Sequence, residues 1–425
     1  MQVFQQSRST RALIMATTAF AVNFSVWTLF SVIGIDLKEQ LSLSATEFGM
    51  LLSSPILTGA LLRLPVGILS ERFSSKNLFV MQMLLLVIPL FLLPTINSYV
   101  GYLLMGLVVG ISGVSFTLGI RYVTDWFESK EQGMAMGVFG AGNAGAALSL
   151  ILVPFIKDTW GWQMIGPFYA AAVLLTCILF WLLAPTVPSF VGDAKKHSIG
   201  FFLKPLMHAK VWRFGLYYYF VFGSFLALIL WLPQYYVQAY ALPFNQAMAL
   251  TLLFVISSSM ARAAGGWFAD RFGARNVNWS VFWICLVCLF FLSYPPTTMT
   301  IHGVEKDVTL YIELNIWIFT LLLLIIGLAQ GFGRASVYKL INDYYPQQMG
   351  SVGGMVAMLG ALGGCTLPIL FGIAVDTVGV YSACFMLLYG VLAVCMLLMY
   401  MAIKRERHNQ RVQHALSHNF LEQDD

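Results

Sequence analysis

The chain has 425 residues, 59% of them hydrophobic and only 10% charged, with a mean hydropathy of +0.78. Soluble domains carry about 25% charged residues, so composition excludes a soluble enzyme and indicates an integral membrane protein. The formal net charge of +5 then reports on membrane orientation rather than on a nucleic-acid partner.

The first apolar run, ALIMATTAFAVNFSVWTLFSVIGI, follows Arg8 and Arg11. It is too long for a signal peptide and no small-residue cleavage site follows, so it is expected to be a membrane helix. The second run, MLLSSPILTGALLRLPVGILSERF, carries Arg63 in its middle, with no acid until Glu71. The fifth, GMAMGVFGAGNAGAALS, is rich in small residues that let helices approach closely, and holds one amide, Asn143. A basic stretch, PTVPSFVGDAKKHSIGFFLKPLMHAKVWR, then interrupts the apolar pattern. The eighth run carries Arg262 in SSSMARAAGGWF, and the ninth a CxxC formed by Cys285 and Cys288. All six cysteines lie in apolar runs, where a thiol is read as a small hydrophobe, so neither a metal nor a cofactor is expected. After the loop YPPTTMTIHGVEKD the tenth run carries Arg334, the eleventh reads GSVGGMVAMLGALGGC, and the tail begins at Lys404.

A membrane helix needs about 20 apolar residues. The runs therefore predict an all-α membrane protein of twelve transmembrane helices in two pseudo-symmetric six-helix bundles. The N-terminal bundle is expected at 1–184, a cytoplasmic linker at 185–210, the C-terminal bundle at 211–403 and a cytoplasmic tail at 404–425. Of the 24 Lys and Arg, only Lys38, Lys157 and Lys306 fall on the face opposite the termini, and Arg63, Arg262 and Arg334 lie within spans. The positive-inside rule then places both termini in the cytoplasm.

The halves repeat one another. RLPVGILSERF at Arg63 matches RAAGGWFADRF at Arg262, with a glycine one turn after the arginine, then an acid, then Arg-Phe. GVSFTLGIRYVTDWF matches GFGRASVYKLINDYY in the same way. A parallel repeat of six helices is the pattern of a secondary transporter that rocks two bundles about a central site. Arg63 and Arg262 are twins expected to face that seam. At about 8 Å and an effective dielectric near 20, two such charges repel by on the order of 2 kcal/mol. All nineteen Asp and Glu fall at span ends, loops or tails. Two guanidiniums without a carboxylate call for a mobile anion, which their forks hold through parallel hydrogen bonds; alternatively each arginine satisfies backbone carbonyls or snorkels. Arg121–Asp125 and Lys339–Asp343 have helical pair spacing and are expected to be clamps.

The segment GISGVSFTLGIRYVTDWFESKEQGMAMGVFGAGNAG resembles the first signature of the nitrate/nitrite porter family of the major facilitator superfamily. QGFGRASVYKLINDYYPQQMGSVGGMVAMLGALGG resembles the second, and the arginines of GALLR and MARAAGG match the family's substrate-binding pair. The resemblance spans nearly the whole chain. It implies a planar anion held between Arg63 and Arg262, with Asn143 nearby and a cage of Phe116, Tyr218 and Phe222. The superfamily loop motif is well formed at Gly266, Asp270 and Arg271 and degraded at Gly67, Glu71 and Arg72, which are expected to serve gating or structure. Arg334 departs from the family, which usually has asparagine there; it too is expected to serve gating or structure, either at the cytoplasmic vestibule or on a carbonyl.

The resemblance implies transport of nitrate, with nitrite as the counter-substrate, across the bacterial inner membrane; a monomer is expected. The absence of a carboxylate or histidine within the spans favours nitrate/nitrite antiport over nitrate/proton symport. The remaining alternatives are a carrier of another small anion and a membrane sensor; the latter usually appends a soluble output domain.

Overall fold

Inside a bilayer every backbone N–H and C=O must be satisfied within its own segment, so apolar runs of this length fold as helices. The computed structural model describes residues 2–70, 73–127, 132–186, 200, 204–302, 304–345 and 349–421. Twelve of its helices are long and apolar enough to cross a membrane. The first half holds α1 (Ser7–Gln40), α2 (Ala45–Ser70), α3 (Ser75–Thr95), α4 (Tyr99–Thr124), α5 (Met134–Trp160) and α6 (Trp162–Leu183). The second holds α7 (Ala209–Ala239), α8 (Phe244–Phe272), α9 (Ala274–Leu292), α10 (Ile316–Tyr344), α11 (Val352–Val378) and α12 (Ala383–Asn409). The last helix continues without a break to Leu421.

The repeat seen in the sequence recurs in the packing. Helices α1 and α7 are the most enclosed, whereas α3, α6, α9 and α12 present much of their surface outward. The seam between the halves is formed by α2 against α11 and α5 against α8. An even number of crossings returns the chain to the face it left, so the two ends share one face.

The seam is tight on the face away from the termini. There Asp376, near the end of α11, accepts from Ala45 N at 3.1 Å and Thr46 N at 2.7 Å, at the start of α2. Ser53 donates to the Cys365 carbonyl at 2.5 Å. Phe48 packs against Trp231 with centroids 5.6 Å apart, and Asn245 donates to Asp158 at 3.4 Å. Toward the termini the seam loosens. A Cβ at Gly137, Gly266 or Gly354 would meet nothing within 4 Å, and one at Gly67 would meet only Thr117, at 3.5 Å in its own bundle.

One element departs from the all-helical expectation. The loop between α9 and α10 folds as an antiparallel hairpin, β1 (Thr297–His302) and β2 (Asp307–Ile312). Its register sets Met299 opposite Leu310 and Ile301 opposite Val308 on one face, and Thr298 opposite Tyr311 and Thr300 opposite Thr309 on the other. Alternating threonines and β-branched residues favour this pleated form over a helix. Both strands are exposed apart from half-buried Thr297.

Candidate functional site

Three local departures from regular helix meet at the seam. Gly110–Val114 in α4 and Ala141–Ala144 in α5 are 3₁₀ turns, built from glycine and other small residues. Tyr219–Ser224 in α7 is a π-helical turn. Such turns redirect side chains and carbonyls within an otherwise continuous helix and are frequent at functional positions. The first turn offers the Gly113 carbonyl, the second carries Asn143, and the third carries Phe222.

Arg63, 3% exposed, is not left bare. Its Nη1 donates across the seam to the Ala357 carbonyl of α11 at 2.9 Å, and its Nε to the Gly113 carbonyl at 3.5 Å. Its guanidinium carbon lies 5.1 Å from the Trp27 ring centre, 5.3 Å from Phe116 and 5.6 Å from Phe222. Each desolvated cation–ring contact contributes about 0.5–2 kcal/mol, which offsets part of the burial penalty.

Arg262, 8% exposed, meets the same phenylalanine, its guanidinium carbon 5.7 Å from the Phe116 ring centre. Phe116 is thus shared by the twin arginines. The Arg262 side chain crosses over Gly140 of α5, where a Cβ would lie 2.8 Å from its guanidinium carbon. Glycine is needed there to let the guanidinium in. The Asn143 oxygen accepts from Arg262 Nη1 at 2.8 Å and from Arg334 Nη1 at 3.2 Å. That orientation follows because guanidiniums only donate.

Arg334 lies in the interior, fully buried, and not at a vestibule. Its Nη2 donates to the Ser258 carbonyl and hydroxyl, each at 2.7 Å, and its Nε to the Gln330 carbonyl at 3.3 Å. The Phe225 ring centre sits 3.8 Å from its guanidinium carbon. Of the two expectations for this residue, the carbonyl partner is the one observed. Among the described residues, no carboxylate pairs with Arg63, Arg262 or Arg334.

Tyr218 stacks on Phe222 with centroids 5.2 Å apart and meets Tyr338 edge-on at 5.2 Å. The six residues expected at the anion position, Arg63, Arg262, Asn143, Phe116, Tyr218 and Phe222, therefore form one cluster. The gating set is dispersed. Asp270 pairs with Lys339 of α10 at 3.2 Å, Arg271 lies over Trp267 at 5.3 Å, Gly266 faces open space and Gly67 faces Thr117 of its own bundle. Glu71 and Arg72 lie outside the described residues. Both expected clamps are present, Arg121–Asp125 at 3.0 Å and Lys339–Asp343 at 3.4 Å.

Sequence reading missed Trp27, Ser258 and the carbonyls of Gly113 and Ala357. Ser258 had a signal, since it sits four residues before Arg262 and so shares its helix face. The carbonyls had none, because every residue has one.

Two bundles closed on one face, looser on the other and lined at the seam by buried guanidiniums define a membrane carrier built for alternating access. The chain belongs to the Major Facilitator Superfamily, whose family model matches residues 15–305 and 308–420, and within it to the nitrate/nitrite porter family. It is 36% identical over 407 residues to the "Probable nitrate/nitrite antiporter" of Thermus thermophilus, covering 92% of this chain and 91% of that one. It is 26% identical to the "Nitrite extrusion protein" of Bacillus subtilis, covering 94% and 96%. Among solved structures, a bacterial homologue of the lysosomal transporter Spinster, captured inward-facing and occupied, aligns with TM-score 0.72 at 13% identity over 93% of this chain and 97% of that one. The human organic anion transporter MFSD10 aligns with TM-score 0.67 at 16% identity over 92% and 99%. At these identities the structural likeness concerns the fold.

Proposed function

We propose that this chain carries nitrate across the bacterial inner membrane in exchange for nitrite, as a monomer with both termini in the cytoplasm. The observation that supports this most is the pair of buried guanidiniums, Arg63 and Arg262, both over the Phe116 ring with no described carboxylate beside them. The names of the relatives favour nitrate and nitrite over other small anions.

In this reading the anion sits between the two forks and takes the place that the Ala357 carbonyl holds at Arg63. The aromatic rings exclude water and limit size. Their faces are electron-rich and repel anions, so attraction comes from the guanidiniums and from N–H and O–H groups. An empty site leaves like charges facing one another and resists closing on the cytoplasmic side. A bound anion neutralises the pair and lets the loose end of the seam tighten around it. Only a ligand that stabilises the closed state more than the open ones drives that motion. The return stroke needs an anion too, which makes the carrier an exchanger.

The test is nitrate uptake into proteoliposomes with no proton gradient and a clamped membrane potential. Rapid uptake that requires internal nitrite is expected. Uptake that is indifferent to nitrite and appears only with an inward proton gradient would replace exchange by symport.

A further inference from the structure

Arg334 has the surroundings of a residue that works through another. Four of its five N–H groups are engaged: Ser258 takes Nη2 twice, Gln330 takes Nε, and the Asn143 oxygen takes one N–H of Nη1. One face is covered by Phe225, and no part of it is exposed. Most of its hydrogen-bonding capacity is thus spent on protein groups rather than on a ligand in the seam. Its one link toward the cluster is the Asn143 amide, which belongs to the other bundle and is also held by Arg262.

A carboxamide has an accepting end and a donating end, and a free one turns either toward its neighbours. With two guanidiniums on its oxygen, Asn143 keeps only its N–H groups for other partners. We infer that Arg334 is a positioning residue of the anion site. Together with Arg262 it locks the Asn143 oxygen inward, so that the amide meets whatever occupies the seam as a donor only. The inference rests on the anion-site reading given above and adds a selectivity device to it. A donor-only amide favours an anion and leaves a neutral or cationic ligand without an acceptor.

Arginine suits this post because one rigid fork spans Ser258 on α8 and Asn143 on α5 at once. A lysine in its place keeps the charge but, as a point charge on a flexible stem, does not hold both in fixed geometry. The substitution Arg334→Lys thus separates an effect carried by the amide from one carried by charge.

The experiment is calorimetric nitrate binding to the purified full chain in detergent. Four forms make a cycle: wild type, Arg334→Lys, Asn143→Ala and the double variant, with Arg262→Lys measured alongside. Arg334→Lys is expected to weaken nitrate binding about tenfold when Asn143 is present and less than about twofold when it is alanine, since residues acting as one unit are not additive. A purely structural role lowers the melting temperature without moving that ratio. Equal weakening in both backgrounds overturns the inference, because Arg334 would then act by packing or by another route that does not pass through Asn143. Should Arg334→Lys not be recovered folded, Ser258→Ala replaces it, removing the hydroxyl that anchors the fork; the same non-additivity is required. Unchanged nitrate affinity in Arg262→Lys would overturn the anion-site reading itself. A weakened Arg262→Lys with an additive cycle would overturn only the role of Arg334.

Discussion

Asp376 caps the helix that begins beside Thr46, although the two residues belong to opposite bundles. Its Oδ2 accepts from both the backbone N–H of Thr46 at 2.7 Å and its hydroxyl at 2.5 Å. The first N–H groups of a helix have no partner within it and carry a partial positive charge, so a carboxylate suits them. This contact exists only while the face away from the termini is closed, which makes it a latch.

Asp376→Asn is expected to weaken that latch by about 1 kcal/mol, allowing for its exposure, and so to raise the share of molecules open on that face about fivefold. Spin labels at Asn97 and Thr377, one on each bundle, measure this as a second, longer distance population. An unaltered distance distribution would show that the seam there is held by packing alone.

Arg63→Lys and Arg262→Lys are each expected to cut nitrate transport about 100-fold while leaving a folded, monodisperse protein, because an ammonium cannot reproduce the guanidinium fork. Uptake rates in proteoliposomes, paired with thermal unfolding, check this. Normal transport by either variant would remove that arginine from the site.

Gly140→Ala tests how closely α5 and α8 must approach. The new methyl group would start 2.8 Å from the Arg262 guanidinium carbon, so the guanidinium must shift from the position in which it holds the Asn143 oxygen. We expect nitrate affinity to fall by about tenfold or more, whereas Gly137→Ala, with open space beside it, should bind as the wild type does. Equal affinities for both variants would mean that Arg262 moves without consequence.

Among the described residues, no hydrogen bond, ion pair or ring contact joins the hairpin between α9 and α10 to a site residue. Replacing 297–312 by a short Gly/Ser linker is expected to leave nitrate exchange within about twofold of wild type, since a flexible linker spans the gap at little entropic cost. A loss of exchange beyond that would tie the hairpin to the motion of the bundles.

Much of this protein was legible before folding. Hydropathy in a bilayer is a local property, summed over each run, so the twelve spans follow from composition along the chain. The distribution of Lys and Arg placed both ends on one face, and the repeated Arg-then-Gly pattern paired Arg63 with Arg262. The hairpin is less visible, because the alternation in TTMTIH and DVTLYI is short and lies in a loop whose polarity dominates its pattern.

What the tertiary structure alone decided is whom the buried charges meet. Arg63 finds a carbonyl 294 positions away, at Ala357, and Arg334 finds the oxygen of Asn143 in the other half. No local pattern encodes such partners. They depend on the angle at which two bundles pack and on 3₁₀ and π turns that swing a carbonyl or a ring out of the regular helical position. The sequence by itself determined which residues had to be buried in the membrane; only the packing of one half on the other decided which of them touch.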